Sequence, residues 1–301
     1  MKNARDVNYL QVDAKVKKLR EEDSVIVMES RKAWEKYKWT RKYFKERPKQ
    51  GYFILVKESV KEPIVTCVLL SSSEVEQSLN NLLVLEENVH AKVLVSCAAV
   101  KKNLRSVHLA FGNVLLRKRA TLVYEHVHNW MGSEEASMSY KFYLESGARL
   151  NYSYKAISPA REMKLKASTF LKENAASEIK LAALARKCKL NVEEFSHLLG
   201  KGSSSTITLR LVAGEGGRIS SRSKIAADAE AKGHVDCQGL IVGRKASITL
   251  APELQNNCKK AMLTHEASIG RIAEEQLDYL RSRGLNESKA ISLIVRGFLK
   301  W

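Results

Sequence analysis

GHVDCQGLIVGRKASITLAPELQNNCKKAMLTHEASIGRIAEEQLDYLRSRG, residues 233–284, contains the switch that decides the fold. Its first part alternates apolar and polar residues with a period of two, as half-buried strands do. HVDCQGLIV (234–242) and ASITLAPEL (246–254) are the clearest cases. The alternation closes at His265–Glu266, and helical text follows. Cys237 lies inside the first apolar run. A thiolate, an imidazole and a carboxylate are common protein ligands of iron and zinc, so Cys237, His265 and Glu266 are the candidate metal ligands.

Upstream, the strand-like text begins at Gly51, with GYFILVKESV and PIVTCVLL. It recurs as AKVLVSC (91–97), SVHLAF (106–111), TLVYEHV (121–127), ARLNYSY (148–154), SEIKLAAL (177–184), STITLRLV (205–212) and GRISSRSKI (217–225). Small or polar turns such as ESGA, KENAAS, GKGSSS and GEGG separate these runs. Many short, evenly spaced strands imply an all-β body: a sandwich, a barrel or a solenoid. The absence of Asn-Gly and Asp-Gly dipeptides argues against tight hairpins. Turns such as GARL, AASEI and GGRI, each just ahead of a strand, suit the coils of a parallel β-helix.

The ends read differently. Residues 1–50 are basic and are expected to form a helical preface. RKAWEKYKWTRKYFKE (31–46) interleaves Trp34, Tyr37, Trp39, Tyr43 and Phe44 with cations. Such text can stack on nucleic-acid bases. The favoured reading is an amphipathic helix that docks its aromatics on the body and turns its lysines to water. Beyond Glu266 the strands are expected to stop. AEEQLDYLRSRG (273–284) has acids in its first turn, arginines in its last and Gly284 at the position of a C′ glycine. Asn286 then caps a second helix, ESKAISLIVRGFLKW. The expected divisions are therefore a 1–50 helical segment, a 51–266 β core and a 267–301 helical segment.

The chain has 301 residues and a net charge of +18, which favours acidic partners without choosing among nucleic acid, anionic lipid and acidic protein. Five cysteines at wide spacings, with no CxxC, argue against a disulfide framework and for a reducing cytosol. No run reaches the length needed to span a bilayer. These features lead to the expectation of a soluble, cytoplasmic protein. There is no GxxxxGK[ST] loop and no GxSxG, and GEGGR (214–218) lacks a following helix start. The chain is thus read as not an enzyme, with any nucleotide hydrolysis supplied by a partner.

By spacing alone the metal signal is weak, because a strand cysteine is most often a small buried hydrophobe. The same holds for Cys97, which closes AKVLVSC, whereas Cys258 in QNNCKK should be exposed. Cys237 and His265 are 28 residues apart (265 − 237), so they would meet across neighbouring coils or across a subunit seam.

From Gly51 onward the chain resembles the SufB/SufD family, the scaffold subunits of SUF iron–sulfur cluster assembly. VLVSCAA is similar to a cysteine segment that in the family usually reads Gly-Cys-Thr-Ala-Pro. HVHNW (126–130) resembles its Gln-Asn-Trp element, with His128 in place of glutamine. DCQGLIVG and THEASIGRIAEEQLDYLRSRGLNESKAISLIVRGF are similar to its most specific stretch. The resemblance implies a right-handed parallel β-helix between helical ends, dimerised through that β-helix as a homodimer or a SufB/SufD-type heterodimer, with a SufC-type ATPase at the C-terminal helices. It implies a transient iron–sulfur cluster at a subunit interface, with Cys237, His265 and Glu266 as its ligands. It also implies a sulfur donor as partner, with Cys97 handling the incoming sulfur. His265–Glu266 together with Cys237 makes the chain resemble a short form of SufB, since SufD-type members usually have His-Gly. A cluster-free structural paralogue and a basic nucleic-acid-binding β protein are the rival readings; nucleic acid and membrane are not favoured as partners.

Overall fold

The computed structural model describes residues 7–20, 23–44 and 46–299. Alternation is obeyed almost residue by residue, and it produces a parallel β-solenoid of about 8 turns. Each coil contributes one strand to each of two sheets. One sheet stacks β5 (Ile64–Leu70), β7 (His90–Ala99), β9 (Thr121–Asn129), β11 (Arg149–Ser158), β13 (Ala176–Ala185), β15 (Ser204–Ala213), β17 (Lys232–Ile241) and β19 (Met262–Arg271). The other stacks β4 (Tyr52–Val56), β6 (Glu76–Leu85), β8 (Val107–Leu116), β10 (Glu135–Leu144), β12 (Glu162–Leu171), β14 (Lys189–Leu198), β16 (Arg218–Ala227) and β18 (Ser247–Asn256). The register is long and nearly unbroken: His90 sits beside Thr121, 31 residues on, and Arg149 beside Ala176, 27 residues on. Inner positions form one continuous hydrophobic core from Tyr9 to Ala261.

The corners explain why hairpin dipeptides are absent. A coil needs a bend at its corner, not a reversal, and it takes this from single residues in the left-handed region. Asn88, Arg119, Asn174, Lys187 and Lys245 fill that role in five corners, Gly147, Gly202 and Gly216 in three others. All of these amides but that of Lys245 donate to the next coil, as Arg119 N–H does to Ser146 and Gly147 N–H to Glu173.

The N-terminal segment departs from the helical expectation. It holds β1 (Tyr9–Val12), β2 (Lys15–Leu19) and β3 (Val25–Glu29) before its helix α1 (Ser30–Lys36) and a 3₁₀ turn at Lys38–Tyr43. Two of these strands run antiparallel and cover the first coil: β2 pairs with β1, and β3 with β4. KVKKL in β2 looks helical only because charge masks its alternation, and lysines are what an edge strand uses to discourage further pairing. The aromatics of 34–44 do dock inward: Trp34, Tyr37, Tyr43 and Phe44 pack with Phe53, Leu55, Leu82, Val84 and Leu115.

At the other end β19 runs to Arg271, five residues beyond the expected stop at Glu266. Its residues are mostly exposed because, among the described residues, no further coil stacks on it. Then α2 (Glu274–Ser282) and α3 (Glu287–Phe298) follow, with Asn286 accepting from the Lys289 amide and Gly284 left-handed, as the capping text implied. Ile294, Val295, Phe298 and Leu299 lie against Ala182, Val212 and Leu240 on the outer face of the first sheet. No helix among the described residues is long and apolar enough to cross a membrane.

Candidate functional site

The open end of the solenoid places the predicted ligands on two neighbouring coils. Cys237, on β17, points inward and is 1% exposed. Its thiol approaches the Ser223 hydroxyl at 3.7 Å. Burial pushes that thiol pKa up, and the hydrogen bond to Ser223 partly offsets this. Gly233 and Gly239 occupy inner positions on the same strand; the space their side chains would fill is taken by Ile225 and Leu263, and by Ile248 and Ile269.

The parallel register aligns Val235 with His265, Asp236 with Glu266 and Cys237 with Ala267. His265 therefore shares the inner parity of Cys237, one residue pair further back along the strand. From the spacings of a sheet, the two Cα atoms are about 8 Å apart. That is too far for direct contact but suits side chains converging on a small cluster. Cys237 is covered by the last coil, whereas His265 stands exposed on it. Glu266 has the opposite parity and stands on the outer face beside Asp236, whose carboxylate accepts from Arg210 at 2.6 Å. The structure thus brings Cys237 and His265 to one side and Glu266 to the other. Cys258 is half-buried, not exposed, because it packs partly against the core.

A second constellation lies near the other end, and only parts of it were legible. Cys97 on β7 faces inward with its Sγ 3.7 Å from His126 Nε2. His126 and His128 both point inward from β9, and one donor atom from each of Cys97, His126 and His128 lies within 4.8 Å of the others. Tyr154 on β11 bonds His128 Nδ1 at 2.8 Å, and His108 Nδ1 meets Gln77 Oε1 at 2.6 Å. Trp130 packs against both His108 and His128. Burial without a counter-charge drives the imidazole pKa values down, to about 4 for His108 and about 3 for His126, and His128 falls well below the ordinary range. Burial likewise pushes the Cys97 thiol far above its usual range. Among the described residues, His108 Nε2, His126 Nδ1, His128 Nε2 and Trp130 Nε1 have no hydrogen-bond partner. Each unmet buried group costs about 1–3 kcal/mol, so this arrangement is a poor way to fill a core. Sequence reading singled out Cys97 and, through the HVHNW resemblance, His128, but did not bring them together or include His108 and Tyr154. In TLVYEHVHN the valines at 123 and 127 compete for the inner parity, which obscures that Leu122, Tyr124, His126 and His128 share one face.

Between the two constellations the interior stays partly polar. Ser177, Ser205 and Ser196 form a chain of hydroxyls, each link 2.8 Å. Glu194 on β14 sits between Ala167 and Ser223 in register, with Oε2 unpartnered, and burial raises its pKa to about 8.

Comparison with known proteins agrees with this architecture. Residues 68–298 match the family model described as "SUF system FeS cluster assembly, SufBD core domain". A SufBD family protein of Archaeoglobus fulgidus is 30% identical, over 99% of this chain and 86% of its own length. One from Methanothermobacter thermautotrophicus is 28% identical, over 92% and 73%. The iron–sulfur cluster assembly protein SufB of Bacillus subtilis is 26% identical over 83% of this chain, which spans 55% of that longer protein. With its matched core, its near full-length archaeal relative and its coiled architecture, the chain belongs to the SufBD family of iron–sulfur cluster assembly proteins.

Proposed function

We propose that this chain is a non-enzymatic scaffold subunit on which iron and sulfide are assembled into a cluster at the open end of the solenoid. Cys237 and His265 supply the inner ligands. The single observation that carries this reading is the register of β17 and β19, which gives these two residues the same parity on the last two coils. Glu266, on the outer face, is assigned to a second contact, to the cluster or to a partner across the seam. The end coil has an unprotected edge, in contrast to the N-terminal end that β1–β3 cover, and such an edge invites a second subunit. The partner there is a second copy or a SufD-type subunit, and a SufC-type ATPase docks at α2 and α3.

Soft sulfur suits an iron–sulfur cluster, and a nitrogen ligand holds it less firmly than thiolates alone would. A scaffold that must release its product benefits from that weakness. Cys97 is assigned the incoming sulfur: its thiol takes the terminal sulfur of a donor persulfide, and the donor leaves as a thiol. ATP-driven closure of the ATPase subunits shifts the seam between closed and open states. The site is tested by anaerobic reconstitution with iron and sulfide. Cys237→Ala and His265→Ala should each lose the charge-transfer absorption, and full retention in both rejects the assignment. Persulfide trapping that labels other cysteines but leaves Cys97 unmodified removes it from the sulfur path.

A further inference from the structure

We propose that Cys97, His126 and His128 form a binding site for a borderline divalent metal ion such as zinc or iron(II), inside the solenoid and separate from the cluster end. The donors come from two successive coils: alternation on β9 presents an H-x-H pair on the inner face, and the register sets Cys97 directly beside His128. One atom from each residue lies within 4.8 Å of the others. Bonds of about 2.3 Å to sulfur and 2.0–2.1 Å to nitrogen at a tetrahedral angle put sulfur and nitrogen about 3.5 Å apart. The observed Cys97–His126 distance is 3.7 Å, close to that edge. Three protein donors leave a fourth coordination position open.

The second, independent observation is the set of unsatisfied atoms around these residues. His126 and His128 are each 1% exposed, yet His126 Nδ1 and His128 Nε2 meet no partner. Tyr154 fixes one edge of the His128 ring: when its hydroxyl accepts from Nδ1, Nε2 keeps its lone pair for a metal. His108 repeats the pattern. Gln77 donates its amide nitrogen to the Asp13 carbonyl, so its Oε1 must accept from His108 Nδ1, which leaves Nε2 as a buried lone pair with no donor. Apolar side chains would fill this volume without such orphans, whereas an ion beside Cys97 Sγ gives the His128 Nε2 lone pair something to bind, with His126 ligating through Nε2, the nitrogen that faces Cys97. Ala156, opposite His128 on β11, is small.

The site does not rest on the cluster assignment, and the two are separable by mutation. A metal on Cys97 occupies the sulfur that incoming sulfur would use, so persulfide trapping belongs on metal-free protein. The test uses the full chain, unfolded and refolded anaerobically in excess cobalt(II), so that the buried donors assemble with the ion present. The expected result is one cobalt per chain with a thiolate-to-cobalt charge-transfer band. In a Cys237→Ala background, which removes the thiolate of the cluster end, Cys97→Ser should abolish the band and His126→Asn should weaken binding at least tenfold. X-ray absorption on the wild-type zinc form should find one sulfur and two imidazole nitrogens, a readout that needs no variant to fold. Failure to retain stoichiometric metal, a band that survives Cys97→Ser, or a sulfur-free shell would each overturn the proposal.

Discussion

Glu194→Gln isolates one buried charge, and its signature is a slope, not an offset. Glu194 is enclosed, with one carboxylate oxygen unpartnered and its pKa raised to about 8 from an ordinary value of 4.5. The folded chain therefore holds this proton across a range in which the unfolded chain has released it. Stability is unaffected well below pH 4.5, falls as pH rises from there, and levels off above about pH 8. At about 1.36 kcal/mol per pKa unit, the wild type loses roughly 3 kcal/mol by pH 7 but only about 1 kcal/mol by pH 5. Glutamine keeps the shape and cannot ionise. Any unmet hydrogen bond of the glutamine amide costs the same at every pH. In urea unfolding at pH 5, 6 and 7, the stability of Glu194→Gln relative to wild type should rise by about 2–3 kcal/mol across the series. The histidines are common to both proteins and cancel. A difference that stays flat with pH would refute the buried, neutral carboxyl.

The histidines should produce the opposite slope. His108 and His126 are pushed down to about 4 and about 3, so below pH 6.5 the unfolded chain binds protons that the folded chain refuses, and stability falls with acidification. In metal-free protein each contributes about 1 kcal/mol per pH unit in that window, and His126→Phe should remove one such share in urea midpoints between pH 6.5 and 5; no change in slope would count against it. Gly243 is a contact glycine: an added Cβ would lie 2.2 Å from the Glu215 backbone nitrogen of the preceding coil. Gly243→Ala should therefore destabilise by about 1–3 kcal/mol, whereas Gly270→Ala, which meets nothing within 4 Å, should melt with the wild type. Equal melting temperatures for the two variants would contradict the close stacking of corners.

The β architecture was legible because a solenoid strand obeys the simplest pattern in the chain, one side in and one side out. It became harder to read where charge or length obscured that pattern. KVKKL hides its alternation under lysines, and β19 keeps alternating past Glu266, but with no coil above it the apolar positions lose their contrast. The helix pair was readable from Asn286 and Gly284, whose roles are local and need no tertiary partner. Sites are different, since they are made by stacking. Cys237 and His265 could be named from their text, but only the register shows that they share a parity while Glu266 does not. His126 beside Cys97, and His108 and Tyr154 beside His128, come from three strands, 18 and 28 residues apart in turn (126 − 108, 154 − 126), and nothing in the linear text marks them as one group.

The central proposal is that Cys237 and His265 bind one cluster at the open end of the solenoid. The direct measurement is pulsed electron paramagnetic resonance on the reconstituted, reduced cluster in protein carrying ¹⁵N-labelled histidine. The account predicts a nitrogen coupling to the cluster that vanishes in His265→Ala and persists in His126→Asn. A cluster that shows no histidine coupling, or whose coupling survives His265→Ala, would contradict it.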